Sequence, residues 1–183
     1  QRQFDRIWKV NRFDIEELKR RFQNNTLNDP TFSIPADILE WPAFRPGTQE
    51  VLAPFFDRNQ DGQYNPLDGD YPEIKGDQML WFVYNDLNPD RILTEPAMGI
   101  EVITAVYGFS CPTIQSDSTV LNTSFLINKK ITNRSGRDYT QAAIGMWQDN
   151  DLGNGADDFV GSHVPLHMVY TYNGDDDDEG ANG

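Results

Sequence analysis

Cysteine is almost missing. Cys111 stands alone in 183 residues, so no disulfide can close within the chain and no paired-cysteine zinc site is encoded. Histidine is limited to His163 and His167. Positive charge is scarce, with 15 Lys and Arg against 29 Asp and Glu, a net charge of −14. That balance argues against a nucleic-acid partner, whose phosphates call for clustered Lys and Arg. No apolar run approaches the roughly 18 residues of a membrane-spanning helix. The opening Gln1-Arg2-Gln3-Phe4 has none of the features of a signal peptide, and the closing Glu179-Gly180-Ala181-Asn182-Gly183 reads as loop. Both ends are expected to be cut from a longer protein.

What is present is enough to fold. Hydrophobic residues make up 38% of the chain and aromatics 12%, sufficient for a core. The acidic excess suits multivalent cations, each of which would relieve self-repulsion. Residues 12–23 predict a short amphipathic helix, with Asn11 placed to cap it and Ile15, Leu18 and Phe22 on one face. The span 24–50, rich in Asn, Pro and Thr, predicts an extended lead-in anchored by Ile34, Ile38, Leu39, Trp41 and Phe44. Met79 to Tyr84 predicts an aromatic strand. Further strands are expected at 99–109, 121–131, 139–148 and 164–172, separated by turns at 133–136, 151–155 and 173–174. Within 121–131, Phe125, Ile127 and Ile131 fall on one face, and Ser124, Asn128 and Lys130 share the other with Leu126. The expected fold is mainly β, an antiparallel sandwich with a short N-terminal helix. Three regions are expected within one continuous unit: 1–50, 51–90 and 91–183.

The strongest local signal is the run from Asp57 to Asp68. Set on a twelve-position calcium loop, it places Asp57 at position 1, Asn59 at 3, Asp61 at 5 and Gly62 at the sharp turn. Gln63 follows at position 7 with its backbone carbonyl, then Asn65 at 9 and Asp68 at 12. Calcium takes six to eight oxygens, and oxygen side chains two residues apart converge when the chain curls. Asp at position 12 reaches less far than Glu, and Pro66 and Pro72 oppose a following helix. The loop is therefore EF-hand-like without a helix–loop–helix frame, and its expected affinity is roughly 10⁻⁴ to 10⁻³ M, as in extracellular modules. A second acidic loop carries Asp149, Asp151, Asp157 and Asp158, and a second calcium site is one reading of it. A solvated loop is the other.

At these residues the sequence resembles a family of large exported surface proteins of Bacteroidota, carried by type IX secretion and ending in a C-terminal sorting domain. The matching stretches include Ile7-Trp8-Lys9-Val10, Ile38-Leu39-Glu40-Trp41-Pro42 and Leu52-Ala53-Pro54-Phe55. The calcium loop running into Gly69-Asp70-Tyr71-Pro72 also matches, as do Trp81-Phe82-Val83-Tyr84-Asn85-Asp86, Gly99-Ile100-Glu101-Val102 and Gly145-Met146-Trp147. The resemblance implies export to the extracellular medium or cell surface, supports calcium at the first loop, and makes the second acidic loop a shared feature. The sorting domain itself is absent from these residues. Asp117-Ser118-Thr119 looks like the O-glycosylation motif of such bacteria, which would place a sugar on Ser118.

Three functional readings follow. A calcium-stabilised structural or adhesion protein, partnering calcium and other surface chains, asks least of the sequence. A carbohydrate-binding module would stack glycans on Trp81 and Trp147, helped by Tyr84, Tyr170 and Tyr172. A glycan-active hydrolase would need two carboxyl groups about 5–9 Å apart, which Asp149 and Asp157 could supply. No catalytic residue is assigned. His163 and His167, four apart around Pro165 in an expected strand, would face one side about 13 Å apart, too far to share a metal.

Overall fold

The computed structural model describes residues 4–87, 96–110, 121, 123–145, 147, 152 and 155–176. The chain divides into two compact units, Gln1–Arg137 and Asp138–Gly183. Backbone pairing among the described residues is antiparallel throughout, and the protein is mainly β.

In the first unit, β1 (Trp8–Asn11) runs straight into α1 (Arg12–Gln23), the helix expected from the apolar spacing. Ile15 and Leu18 are its buried residues, with Asp14 in the first turn and Arg20 and Arg21 in the last, matching the helix dipole. Hydrogen bonds from Arg20 and then Arg21 hold the Glu17 carboxyl down at about 2. Asn11 occupies the cap position, but its side chain does not cap. It donates to Asp14 at 2.7 Å and accepts from Gln78 Nε2 at 2.7 Å. The cause is local: Asn11 is also the last residue of β1, opposite Gln78, whose side chain takes the oxygen that a cap would use.

The lead-in holds a single helical turn, α2 (Ala36–Leu39), in which Ile38 is buried while Leu39 is turned outward, contrary to its expected role as an anchor. A turn this short buries only one side. Two short strands, β2 (Phe55–Phe56) and β3 (Tyr71–Pro72), pair with each other. The main sheet is completed by β4 (Gln78–Asn85), β5 (Ile100–Gly108) and β6 (Phe125–Asn133), in the order β1-β4-β5-β6.

Register decides which residues become core. Trp8 lies opposite Trp81 and Val10 opposite Met79, so these four share a face. Onto it pack Ile15, Leu18, Ile38, Trp41, Ala43, Leu52 and Ala53. Trp81 meets Trp8 edge-on at 5.5 Å and Trp41 at 5.7 Å. The indole N–H of Trp8 donates to Glu40 O and that of Trp41 to Pro54 O, so neither is left unsatisfied in the core. The other face of the sheet carries Leu80, Val106 and Ile127 in one row and Tyr84, Val102 and Ile131 in another.

Two carboxylates fasten the ends of these strands. Glu101, on the core face of β5 and 6% exposed, accepts from Arg45 at 2.7 Å and from Arg134 at 3.2 Å, and both arginines also pair with Glu50. Burial pushes the Glu101 carboxyl up, but Arg45 and Arg134 together outweigh it and leave it below the usual range. Asp86, just after β4, accepts from the backbone N–H groups of Met98 and Ile100 and so ties β4 to β5.

The second unit contributes a hairpin of β7 (Asp158–His163) and β8 (Met168–Asn173), joined by a 3-10 turn over Val164–Leu166. Here two expected strands are corrected. The described residues of 139–148 form no strand: Ala142 and Ala143 break the alternation and Ile144 is exposed. The strand expected over 164–172 begins only at Met168, because Pro165 fixes a turn conformation and His167 takes a left-handed one, φ 50°. His163 and His167 are accordingly exposed residues bracketing a turn, and not two positions along one strand.

Candidate metal-binding loop

The run from Asp57 to Asp70 connects β2 to β3, so a short antiparallel ladder holds both its ends, with Phe55 opposite Pro72 and Phe56 opposite Tyr71. The Phe56 and Tyr71 rings stack at 4.8 Å across that ladder. Within the loop, polar side chains fold back onto the backbone. Asp57 accepts from the N–H of Gln60 at 2.7 Å and of Gly62 at 2.8 Å. Asn59 accepts from Asp61 N at 3.1 Å, and Asp61 from Gln63 N at 2.8 Å. Asn65 caps the 3-10 turn Pro66–Asp68 by accepting from Leu67 N at 3.1 Å. Gly62 has φ 74°, the left-handed conformation the expected sharp turn demands.

Four of the candidate ligands meet in two pairs. The Asn59 amide donates to Asp61 Oδ2 at 3.0 Å and the Asn65 amide to Asp68 Oδ2 at 2.6 Å. Asp61 and Asp68 are exposed and Asp57 half-buried. Gln63 follows Gly62 on the exposed rim. Among the described residues no three His, Cys, Asp or Glu side chains gather closely enough to hold a metal ion. The loop's donors are instead a mixture: three carboxylates, two side-chain amides and the backbone carbonyl of Gln63. This all-oxygen set fits calcium and not zinc. Carboxylate oxygens carry two lone pairs each, so the internal hydrogen bonds leave acceptor capacity at Asp57, Asp61 and Asp68.

One residue essential to this geometry was not among the expected ligands. Asp70 is 1% exposed and accepts from Arg58 N at 2.9 Å and from Asn65 N at 2.8 Å. It bridges the first and second halves of the loop from beneath. Tyr64 does related work: its hydroxyl donates to Ile38 O at 2.6 Å and its ring meets Phe55 at 5.3 Å. Burial, and then the nearby Asp70 charge, push the Tyr64 hydroxyl's pKa well above its usual value. Sequence spacing gave no signal for Asp70, which lies beyond the twelve positions.

The other expected sites are placed as follows. Asp149 and Asp151, Cys111 and Ser118 lie outside the described residues. Asp157 and Asp158 stand at the start of β7, where Gly174 N donates to Asp157 O at 2.9 Å and Leu152 N donates to the Asp158 carboxylate. Trp81 is 2% exposed and belongs to the core, so it cannot stack on a ligand; the alternation of β4 turns it inward. Trp147, in the second unit, is exposed. In the same unit Phe159, Tyr170 and Tyr172 form a half-exposed row on the hairpin, with Tyr170 and Tyr172 at 6.0 Å and Phe159 and Tyr172 at 5.8 Å. No described helix is long and apolar enough to cross a membrane. Comparison with protein-family models, curated proteins and solved structures gave no match.

Proposed function

We propose that this chain is a calcium-stabilised structural or adhesion module of an exported, cell-surface or secreted protein. The observation that carries the reading is the loop: Asp57, Asn59, Asp61, Gln63, Asn65 and Asp68 in register around Gly62, with both ends held by the β2–β3 ladder. Calcium bound there would cross-link the loop in a chain that has no disulfide to do so. The resemblance to type IX-exported surface proteins of Bacteroidota supports the extracellular setting, where millimolar calcium suits a weak structural site. A sandwich architecture is part of the proposal. Its support is the apolar character of both faces of the main sheet, the second of which calls for a covering layer. A second calcium at Asp149, Asp151, Asp157 and Asp158 is a further part of the proposal, resting on the acidic sequence alone.

The test is thermal unfolding in calcium and in chelator. For a dissociation constant of roughly 10⁻⁴ to 10⁻³ M, 10 mM calcium stabilises the folded state by about 1.4–2.7 kcal/mol. Asp61→Ala should remove that increment and leave the melt in chelator nearly unchanged. If the wild type melts identically with and without calcium, the reading fails.

One observation favours glycan binding as a second reading. The aromatic row of Phe159, Tyr170 and Tyr172 offers half-exposed rings, a more suitable stacking surface than the buried Trp81.

A further inference from the structure

β6 is the last strand of the main sheet, and no described strand pairs with its outer edge. It is nine residues long, above the usual strand length, and Phe125, Ile127 and Ile131 are 70%, 55% and 42% exposed. In an antiparallel pair every second residue points its N–H and C=O away from its neighbour, so β6 offers about four such residues to a further strand. Exposed edges of this length and apolarity are templates for strand addition.

Charge narrows the partner. The middle of β6 is Lys129-Lys130, one on each face of the sheet, in a chain of net charge −14. Neither lysine makes an ion pair among the described residues. If β6 paired antiparallel with its own copy in full overlap, Lys129 at its centre would face Lys129. Like charges directly opposite destabilise a ladder, whereas opposite charges stabilise it. The lysines thus block self-pairing while leaving the edge open to an acidic strand, which is specificity by exclusion.

We propose that the outer edge of β6 is a docking site for an extended acidic strand of another polypeptide, apolar at alternate positions and bearing Asp or Glu opposite Lys129 and Lys130. Backbone hydrogen bonds supply the attachment, Phe125, Ile127 and Ile131 pack against the partner's apolar residues, and the lysines set its sign. The inference does not depend on the calcium loop.

The experiment uses a labelled nine-residue peptide that alternates Val or Ile with Thr and carries Glu at its two central positions. Its controls are a twin with Lys for Glu and a version N-methylated at alternate residues. Anisotropy is measured against the whole chain in chelator, which separates this result from any calcium effect. The acidic peptide should bind saturably and about tenfold more tightly than its Lys twin, since two cross-strand pairs change sign. N-methylation should abolish binding, because it removes the ladder donors. The double variant Lys129→Glu/Lys130→Glu, altered only at exposed side chains, should keep its fold by circular dichroism and reverse the preference. Equal binding of the two peptides, undiminished binding after N-methylation, no binding at millimolar peptide, or self-association through β6 in sedimentation would each overturn the proposal.

Discussion

Replacing Asp70 tests the account of the loop at its anchor. The carboxylate is buried and serves two backbone donors, Arg58 N and Asn65 N, on opposite halves of the loop. Asp70→Ala removes both acceptors and leaves a small void in their place. An unsatisfied buried donor costs about 1–3 kcal/mol. Two of them amount to about 2–6 kcal/mol, and both lie under a loop open to solvent, which favours the lower half of that range. At about 2–4 °C per kcal/mol for a chain of this size, the melting temperature should fall by about 5–15 °C. Asp70→Asn keeps one acceptor oxygen and should fall by about half as much. The assay is thermal unfolding in chelator, followed by tryptophan fluorescence, because Trp8, Trp41 and Trp81 all sit in the core that the loop abuts. If Asp70→Ala melts with the wild type in chelator, the loop is not held from beneath, and its shape must depend on something else.

Glu101→Gln should destabilise the first unit by about 1–3 kcal/mol, less than a fully buried pair because Arg45 and Arg134 keep Glu50 as a partner. The folded Glu101 carboxyl titrates below its unfolded value of about 4.3, so its contribution is complete above that pH and is lost as pH falls through the folded value. The gap between wild type and Glu101→Gln in a pH series of melts should therefore close under acid, and a gap constant from pH 6 to pH 3 would refute it. Gly76→Ala should cost more than about 2 kcal/mol: Gly76 has φ 67°, and a Cβ would stand 2.2 Å from Gly108 O. Chemical denaturation of that variant reads the loss directly.

Sequence patterning made parts of this fold legible, for identifiable reasons. The helix Arg12–Gln23 combined apolar spacing with charges suited to its ends, and β4 and β5 showed themselves as runs rich in β-branched and aromatic residues. β1 offered only Trp8-Lys9-Val10-Asn11, too short for a period, although Trp8 and Val10 line the core. Trp81 was misread because both faces of β4 are apolar. Met79, Trp81 and Val83 alternate with Leu80, Phe82 and Tyr84, and no local rule says which set meets the helix. β7 went unnoticed because Asp158, Gly161 and Ser162 interrupt its apolar residues, and its pairing with β8 supplies what propensity lacks. Asp70 escaped because loop motifs encode side chains that point inward toward an ion, while this carboxylate points at the backbone from outside the register.

That distinction bears on what an ion could add. The ladder of Phe55 and Phe56 with Tyr71 and Pro72 closes the loop, Asp70 joins its halves, and Asp57 and Asn65 satisfy the N–H groups of its turns. The backbone order of the loop is therefore met by protein groups, unlike a zinc finger, whose fold needs its metal outright. Bound calcium would be held by side chains that already have protein partners, and would not have to supply the order of the backbone. Its effect should follow mass action and grow by about 1.4 kcal/mol per tenfold excess over the dissociation constant. The chain should consequently remain folded in chelator and gain stability gradually with calcium, with no abrupt collapse when the ion is removed.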